Sequence, residues 1–210
     1  SRSNANNTPT WDMVKAFPML DGKSFDDPTG KYYVGNEDVF LQRYWMNRDP
    51  RFEDCILYNA ALYPVSGTST GYRQYTSVGI AVREDSYGIN PNVGSTATQN
   101  DVISGIYEIS RSYVIYAEAA NEVGHRDVAV DMLKQIRKRA GIEAGEDGLY
   151  GLKVGGRQEI RQAILDERNV ELCFEGHRFM DLRRTRNMMQ LNGLQKYGIE
   201  AIAINEDGSE

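Results

Sequence analysis

The hydrophobic positions of the chain repeat with a helical period from Ile109 onward, and this pattern predicts two consecutive helices. The first predicted helix ends near Gly124 and the second at Gly141, because glycine readily adopts the left-handed turn that closes a helix. The apolar side of the first helix comprises Tyr113, Tyr116, Ala117, Ala120 and Val123, and that of the second comprises Ala129, Leu133, Ile136 and Ala140. Two helices joined by a short turn form a helical hairpin.

This predicted hairpin has the pattern of a tetratricopeptide repeat. With Gly124 at the turn, Ala117, Ala129 and Leu133 stand at the small and apolar positions that let paired helices approach closely. One repeat cannot bury its own apolar face, so a neighbouring helix must cover it. The next predicted helix, over residues 157–175, can do so. The segment 143–156 between them contains five glycines and is predicted to be an exposed connector.

A column of carboxylates occupies the side of this third helix that should face the core. At about 100° per residue, that side comprises Ile160, Ile164, Glu167, Glu171, Phe174 and Glu175. Buried carboxylates need partners, and cations follow on a returning helix predicted over residues 177–187, after a left-handed turn at Gly176. We therefore predict a structural ion network of Glu167, Glu171, Glu175, Arg178, Asp181, Arg183 and Arg184, with His177 beside it.

The cations at the end of the second helix allow two interpretations. Arg137, Lys138 and Arg139 suit the negative end of the helix dipole. Alternatively, Arg137 or Arg139 pairs with the Glu167 and Glu171 column, and the two interpretations are compatible.

The same glutamates also raise catalytic alternatives. Two of Glu167, Glu171 and Glu175 could serve as the acid and base of a glycoside hydrolase, although a surplus of arginines is more typical of a structural network. A dimetal site is less favoured, because it needs a Glu-x-x-His pattern, and His177 follows Glu175 by two residues. We predict no metal, no cofactor and no enzymatic activity.

The first hundred residues differ in composition from the helical part, because they are rich in glycine, proline, asparagine, serine and tyrosine. Short β-prone runs stand at residues 55–58 and 79–82. The segment 21–33 carries turn residues throughout, and its aspartates do not follow calcium-loop spacing, so a calcium site is the lesser alternative. At Asp49 and Pro50 we expect an extended turn, with Arg48 and Arg51 pairing with nearby carboxylates. We divide one domain into a loop-rich part, 1–100, and a helical part, 101–210.

The composition of the chain limits the kinds of core and of binding partner that it can have. With 210 residues, 40% of them hydrophobic, the chain can bury one sizeable core, and no run approaches the roughly 20 apolar residues of a membrane span. A net charge of −6 and the lack of a basic cluster interleaved with aromatic residues argue against nucleic acid or anionic lipid as a partner. Cys55 and Cys173 lie among apolar neighbours and are predicted to be buried free thiols, with a single disulfide as the alternative.

The run 167–184, ERNVELCFEGHRFMDLRR, resembles the ERxxELxFEGxRxxDLRR signature of SusD/RagB-like proteins. Two further segments agree with that family, NRDPRFEDCILYN at 47–59 and the stretch from YAEAANEVG to IRKRAG at 116–141. The resemblance spans about three quarters of the chain. The resemblance is to the carboxy-terminal portion of the family. Members are normally more than twice this long, and their amino-terminal helical half, lipoprotein signal and closing carboxy-terminal segment are expected to have no counterpart in these residues.

The resemblance implies a surface lipoprotein that captures glycan or another nutrient at the outer membrane and delivers it to a TonB-dependent transporter. It implies a mostly α-helical fold of tetratricopeptide-like hairpins, with a loop-rich, aromatic-rich excursion that contains short strands. Contact with the membrane is expected only through a lipid anchor. A purely protein-binding repeat module is the further alternative.

Aromatic residues crowd the loop-rich part, and the family binds glycans on such residues. The apolar face of a sugar ring stacks on an aromatic ring, whereas its hydroxyls meet nearby polar groups. Indole offers the largest face, so Trp11 and Trp45 are the leading candidates. The further candidate ligand-binding residues are Tyr32, Tyr33 and Tyr44.

Overall fold

A computed structural model describes residues 9–58, 61–63, 72–74, 81–82, 97–195 and 197, and the fold is mostly helical, as predicted. Its helices are α1 (Trp11–Ala16), α2 (Glu37–Leu41), α3 (Pro50–Cys55), α4 (Ala97–Glu122), α5 (Arg126–Ala140), α6 (Arg157–Glu171) and α7 (His177–Arg184), followed by a 3-10 helix (Met188–Leu191). Its strands are β1 (Ile56–Leu57), β2 (Ala61–Tyr63), β3 (Tyr72–Gln74) and β4 (Ala81–Val82). None of the helices within the described residues combines the length and apolarity needed to cross a membrane.

The strands form two antiparallel pairs, β1 with β4 and β2 with β3. The prediction of a strand at 55–58 is confirmed in part, because Cys55 ends α3 and β1 begins at Ile56. Only residues 81–82 of the predicted run 79–82 are described, and these form β4. Residues 79–80 lie outside the described part of the chain.

Helices α4 and α5 form the predicted hairpin, and α6 packs against both. Gly124 and Gly141 adopt left-handed backbone angles, with φ of 94° and 88°, at the predicted ends of the two helices. Ala117 and Ala129 are fully buried in a core shared with Ile160 and Ile164 of α6. Small side chains at the contact thus let the three helices approach closely.

Three helix boundaries differ from the sequence prediction, the simplest being that α7 ends at Arg184 and not at residue 187. Helix α4 begins at Ala97, twelve residues before the periodic pattern, and it crosses the predicted boundary at residue 100. Helix α6 ends at Glu171 and not at Glu175. The chain then turns through Phe174, whose φ is 63°, and Gly176, whose φ is 78°. This turn packs Phe174 against the amino-terminal core, a contact that the helical pattern did not indicate.

The amino-terminal part has its own core, built mainly of aromatic side chains. Its buried members are Trp11, Val14, Phe17, Met19, Phe25, Phe40, Tyr44, Phe52, Ile56 and Val170. Side chains cap the three short helices, since Thr10, Asn36 and Asp49 each accept a hydrogen bond from an N–H of the first turn. Val170 belongs to α6, so this core joins the helical part directly.

The NRDPRF segment opens a helix, which corrects the expectation of an extended turn. Pro50 stands at the first position of α3, where its missing N–H costs nothing, and Asp49 caps the helix. Arg48 does not pair with a carboxylate among the described residues but donates from its Nη2 to the main-chain oxygens of Val14 at 2.6 Å and Phe17 at 2.7 Å. Burial lowers the pKa of Arg48 to about 9.

The connector 143–156 is largely exposed, as predicted, at residues 144–147 and 153–156, but it is anchored to the fold at several points. Leu152 is buried in the hairpin core, and the Nζ of Lys31 donates to Glu143 at 2.9 Å. Gly151, with φ of 75°, approaches the 21–22 turn so closely that a Cβ would lie 2.5 Å from the carbonyl oxygen of Asp21. Asp21 in turn accepts the N–H of Lys31 at 2.6 Å, which confirms turn chemistry in the 21–33 segment.

Candidate functional site

A buried ion network lies where the amino-terminal core meets α5 and α6, and Arg51 is at its centre. Arg51 donates from Nη2 to Oδ2 of the fully buried Asp49 at 2.6 Å. Its Nη1 donates to Oε1 of Glu167 at 2.8 Å and to Oε2 of Glu171 at 2.7 Å. One guanidinium thus holds three carboxylates from two parts of the chain. We call Asp49, Arg51, Arg137, Arg139, Glu167 and Glu171 the buried ion network.

Helix α5 supplies the second set of cations. Arg137 donates from Nε to Oε2 of Glu167 at 2.7 Å, and from Nη1 to the main-chain oxygen of Tyr150 at 2.8 Å. Arg139 forms an ion pair with Glu171. Burial opposes the ionisation of Glu167, but the charges of Arg51 and Arg137 outweigh burial and lower the pKa of Glu167 to about 2. Glu167 is therefore ionised and fully paired.

A second cluster holds the corner between α6 and α7. Asp181 accepts from Nε of Arg168 at 3.0 Å and from Nε of Arg184 at 2.7 Å. Burial opposes ionisation of Asp181, but these two arginines lower its pKa below the ordinary value. Arg184 also donates from Nη2 to Glu118 of α4 at 2.8 Å. This ion pair connects the α6–α7 corner to the hairpin of α4 and α5.

These contacts confirm the alternative in which Arg137 and Arg139 pair with the glutamate column, but they place the other predicted cations elsewhere. Glu175 lies in the turn beyond α6 and pairs with Arg111 at 3.2 Å and with His177 at 3.5 Å. Arg178 and Arg183 form no ion pair with Glu167, Glu171 or Glu175 within the described residues. The guanidinium of Arg183 lies over the ring of Phe179, 5.7 Å from its centroid. Asp181 on the returning helix is therefore paired by one arginine of α6 and one of α7, whereas Glu167 and Glu171 are paired by arginines of α3 and α5.

Two of the five candidate stacking residues are in the core. Trp11 is 7% exposed and makes an edge contact with Tyr44, at a centroid distance of 5.7 Å. Its Nε1 donates to Oε1 of Glu37 at 2.7 Å. Tyr44 is buried as well. Both rings are buried and leave no face open to a sugar, so the structure gives no support to the stacking role predicted for Trp11 and Tyr44.

The neighbouring tyrosines differ in exposure. Tyr32 is half-buried, and its hydroxyl donates to Oε1 of Glu143 at 2.7 Å. Lys31 places its Nζ 4.9 Å from the centroid of the Tyr32 ring. Tyr33 is 50% exposed and folds against Gly35, where an added Cβ would meet its hydroxyl. Tyr33 is thus the more accessible ring of the two.

Trp45 is the larger of the two candidate aromatic side chains that are exposed, the other being Tyr33. It is 39% exposed and stacks on Tyr58 at a centroid distance of 5.9 Å and an interplanar angle of 15°. Its edge contact with the buried Tyr44, at 5.1 Å, fixes it from a second side. We call Trp45 and Tyr58 the aromatic ledge. A parallel ring behind an indole holds that indole rigid, which lowers the entropy lost when a ligand stacks on it.

Tyr58 is a candidate site residue that the sequence did not single out. It lies just beyond β1, and its hydroxyl donates to Oε1 of Glu53 at 2.6 Å. The exposed carboxylate of Glu53 therefore stands beside the aromatic ledge. Nothing in the spacing of residues 45 and 58 indicated this stacking, since helix α3 and strand β1 fold the chain back between them.

A polar cleft of about 450 Å³ lies on the other side of the ion network, between the 22–28 turn and α6. Its charged lining includes Lys23, Asp26, Asp27, Lys153, Glu159 and Asp166. The described residues that line it include no aromatic side chain, so the cleft provides no stacking surface. Among the described residues, no group of three or more histidine, cysteine, aspartate and glutamate side chains could hold a metal ion.

The two cysteines were predicted to be buried, yet both are only half-buried. Their sulfur atoms lie 3.7 Å apart, although the residues are 118 positions apart in sequence. The apolar neighbours on which the prediction depended are present, because both side chains pack against the amino-terminal core. What the sequence did not reveal is that the two cysteines are neighbours.

Comparison with known proteins gives a consistent result. The model of the SusD family matches residues 1–210. SusD-like protein P38 of Formosa agariphila is 26% identical over 129 residues, which are 58% of this chain and 25% of that protein. SusD-like protein P2 of the same organism is 31% identical over 101 residues, which are 47% of this chain and 19% of that protein.

A solved structure shares the fold. The crystal structure of a SusD-like protein from Bacteroides fragilis matches with a TM-score of 0.65 and 21% identity, over 93% of this chain and 39% of that chain. The present chain thus spans a quarter or less of the curated relatives named above and about two fifths of this structure.

Proposed function

The chain belongs to the SusD family, and on this premise we propose that it is the glycan-binding part of an outer-membrane nutrient-uptake protein. The family match over residues 1–210 is the observation that carries the proposal. In this function, a lipid anchor holds the protein at the cell surface, and a TonB-dependent transporter receives the captured oligosaccharide. The chain itself acts as a binding protein and not as an enzyme.

We assign the sugar contact to the aromatic ledge. The partly exposed indole of Trp45, supported by the parallel ring of Tyr58, suits the apolar face of a pyranose. The exposed carboxylate of Glu53, which accepts the hydrogen bond of the Tyr58 hydroxyl, is a candidate acceptor for sugar hydroxyls. Tyr33, which is half exposed, is a further stacking surface, and Tyr32 orients the adjoining chain through Glu143.

The state of the glutamates supports binding over hydrolysis. A glycoside hydrolase needs a carboxylic acid whose raised pKa keeps it protonated near neutral pH. Two arginines instead lower the pKa of Glu167 to about 2, and Glu171 is held by Arg51 and Arg139. Both side chains are buried, so a glycosidic bond has no access to them. These glutamates fit a structural role.

The proposal is tested by titrating neutral oligosaccharides, first selected on a glycan array, while following tryptophan fluorescence. One stacked ring contributes about 0.5–1.5 kcal/mol beyond its buried area, so we expect weak affinity, of micromolar to millimolar order. Trp45→Ala should weaken binding by about 2- to 10-fold, and Trp45→Phe, which keeps a ring, should weaken it less.

Tyr116→Ala is the matched control, because Tyr116, which the helical period placed on the apolar side of α4, is exposed and is not part of the aromatic ledge. It should leave affinity unchanged. Saturable binding that Trp45→Ala does not weaken would place the sugar site elsewhere. Release of reducing ends from the bound oligosaccharide over several days would contradict the non-enzymatic role.

A further inference from the structure

Two thiols from distant parts of the chain meet beside the buried ion network. Cys55 is the last residue of α3, and Cys173 lies in the turn between α6 and α7. Their sulfur atoms are 3.7 Å apart. Both side chains pack against the amino-terminal core, so the fold holds them together rather than leaving the encounter to chance.

This geometry is within reach of a covalent bond. A disulfide has a sulfur–sulfur bond of about 2.0 Å, so the two sulfur atoms must approach by roughly 1.7 Å from their separation of 3.7 Å. Both residues stand at places where the backbone can adjust, since Cys55 ends its helix and Cys173 lies in an irregular turn. Partial exposure of both side chains lets a reagent reach them.

We propose that Cys55 and Cys173 form an oxidation site that closes into a disulfide, linking the end of α3 to the α6–α7 turn. The site is separate from the aromatic ledge, and its chemistry does not depend on the proposed glycan binding. The proposed location outside the cytoplasm adds only the redox setting in which disulfides form and persist.

The oxidant is an external disulfide, such as a thiol–disulfide exchange protein or oxidised glutathione. A thiolate of one cysteine attacks the external disulfide, forms a mixed disulfide and releases one thiol. The thiolate of the second cysteine then attacks the mixed disulfide at the protein sulfur and releases the other thiol. Two protein thiols are oxidised, one external disulfide is reduced to two thiols, and the protein loses two hydrogen atoms.

The surroundings slow this exchange. The hydrogen bond to Cys55 and burial both raise the pKa of the Cys173 thiol above its ordinary value. Because the thiolate is the attacking form, the disulfide should close slowly at neutral pH and faster as the pH rises.

The disulfide would link α3 of the amino-terminal part covalently to the turn that follows α6, and the buried ion network already connects α3 and α6 through ion pairs. Arg51 and Cys55 lie on the same helix, and Glu171 precedes Cys173 by two residues. A cross-link between residues 118 positions apart restricts the unfolded chain, and such loops shift the folding equilibrium by on the order of 1,000-fold. We expect the oxidised protein to resist unfolding accordingly.

The first test uses the unmodified 210-residue chain, which is reduced, cleared of reductant and incubated with oxidised glutathione at neutral pH. Non-reducing peptide mapping by mass spectrometry should recover a linked pair of peptides that contains Cys55 and Cys173, with both free thiols lost. Two free thiols after incubation, or two stable glutathione adducts without the linked peptides, would overturn the proposal.

The second test compares denaturant unfolding of the oxidised and reduced forms. The oxidised form should unfold at a higher denaturant concentration, and the difference should vanish in a Cys55→Ala, Cys173→Ala double variant given the same treatments. Equal midpoints for the oxidised and reduced unmodified chain would overturn the proposed cross-link. Because no glycan is involved, failure here is distinguishable from failure of the proposed function.

Discussion

The amino-terminal core packs aromatic rings, whereas the hairpin core packs alanines against aliphatic side chains. In the first, Phe25 stacks on Phe40 with centroids 4.0 Å apart, and Phe17 meets Phe52 edge-on at 5.6 Å. In the second, Ala117 and Ala129 are fully buried against the aliphatic residues of α6. The two regions therefore bury apolar surface in different ways.

Helix length accounts for the difference. Helices α1, α2 and α3 have only five or six residues each, and isolated helices shorter than about 12–15 residues are marginal in water. They depend on large rings that bury much surface per residue. Helices α4, α5 and α6, with 26, 15 and 15 residues, need only close approach, which alanine permits.

The buried ion network joins these unlike regions. Arg51 comes from the amino-terminal part and reaches Glu167 and Glu171 on α6, while Arg137 and Arg139 reach the same glutamates from α5. Charges at such a boundary are costly to bury, and each is stable there only because its partners are present. The comparison thus predicts that the boundary is the most sensitive place in the molecule.

The largest effect is expected from Arg51→Ala. This change leaves three buried carboxylates without their shared cation, and it should lower the free energy of unfolding by about 3–5 kcal/mol. Denaturant unfolding at neutral pH measures it. Arg178→Ala is the matched control, because Arg178 makes no ion pair with the glutamates within the described residues, and it should cost less than about 1 kcal/mol. Equal losses for both variants would refute the assignment of cations.

Acid should lower the stability of the boundary between the amino-terminal core and the helical part. The pKa of Glu167 is lowered to about 2 in the fold from an ordinary value of 4.5, so its contribution is complete above pH 4.5 and is lost as the pH falls toward 2. The shift corresponds to about 3 kcal/mol. Denaturant unfolding at a series of pH values should therefore show a shallower acid dependence in Glu167→Gln than in the unmodified chain. Parallel curves would show that Glu167 does not carry the effect.

Enlarging a small buried residue of the hairpin should lower stability by less than the changes in the ion network. Ala117→Leu adds three carbon atoms where α4 meets its neighbours, and we expect a loss of about 1–3 kcal/mol from overpacking. Ala119→Leu, on the exposed side of the same helix, is the control and should change stability by less than about 0.5 kcal/mol. If Ala117→Leu is tolerated as well as the control, the close approach of the helices is not what requires alanine.

The smallest effect on stability is expected at the aromatic ledge. Trp45 is partly exposed, so Trp45→Ala should cost less than about 1 kcal/mol. Trp11→Ala removes the other indole from the core and should cost about 3–5 kcal/mol. Thermal melts of the two variants distinguish an accessible tryptophan from a structural one. A large loss in Trp45→Ala would mean that the ledge belongs to the core.

Much of the helical part could be predicted from local pattern. The hairpin, its glycine turns and the burial of Ala117 and Leu133 follow from a 3.6-residue period and from the conformational freedom of glycine. The end of α6 could not be predicted in this way. Helical spacing continues to Glu175, but contacts of Phe174 with the amino-terminal core end the helix at Glu171.

The candidate site was less predictable than the fold. The sequence indicated that Glu167 and Glu171 needed cations, and the nearest ones in sequence stood on the returning helix. In the structure one of these cations is Arg51, which lies 116 positions from Glu167 in the sequence. Likewise, exposed and buried aromatic residues cannot be distinguished where no periodic pattern exists, so Trp11 and Trp45 were ranked together.

The sequence by itself determined the helical class, the hairpin, the requirement for buried ion pairs and the resemblance to a family. Each of these depends on patterns among residues that are close together in the chain. Only the tertiary structure decided which arginines neutralise the glutamates, which indole stays accessible and that Cys55 meets Cys173. These are contacts between distant residues, and long-range contacts depend on how whole elements pack rather than on any local period.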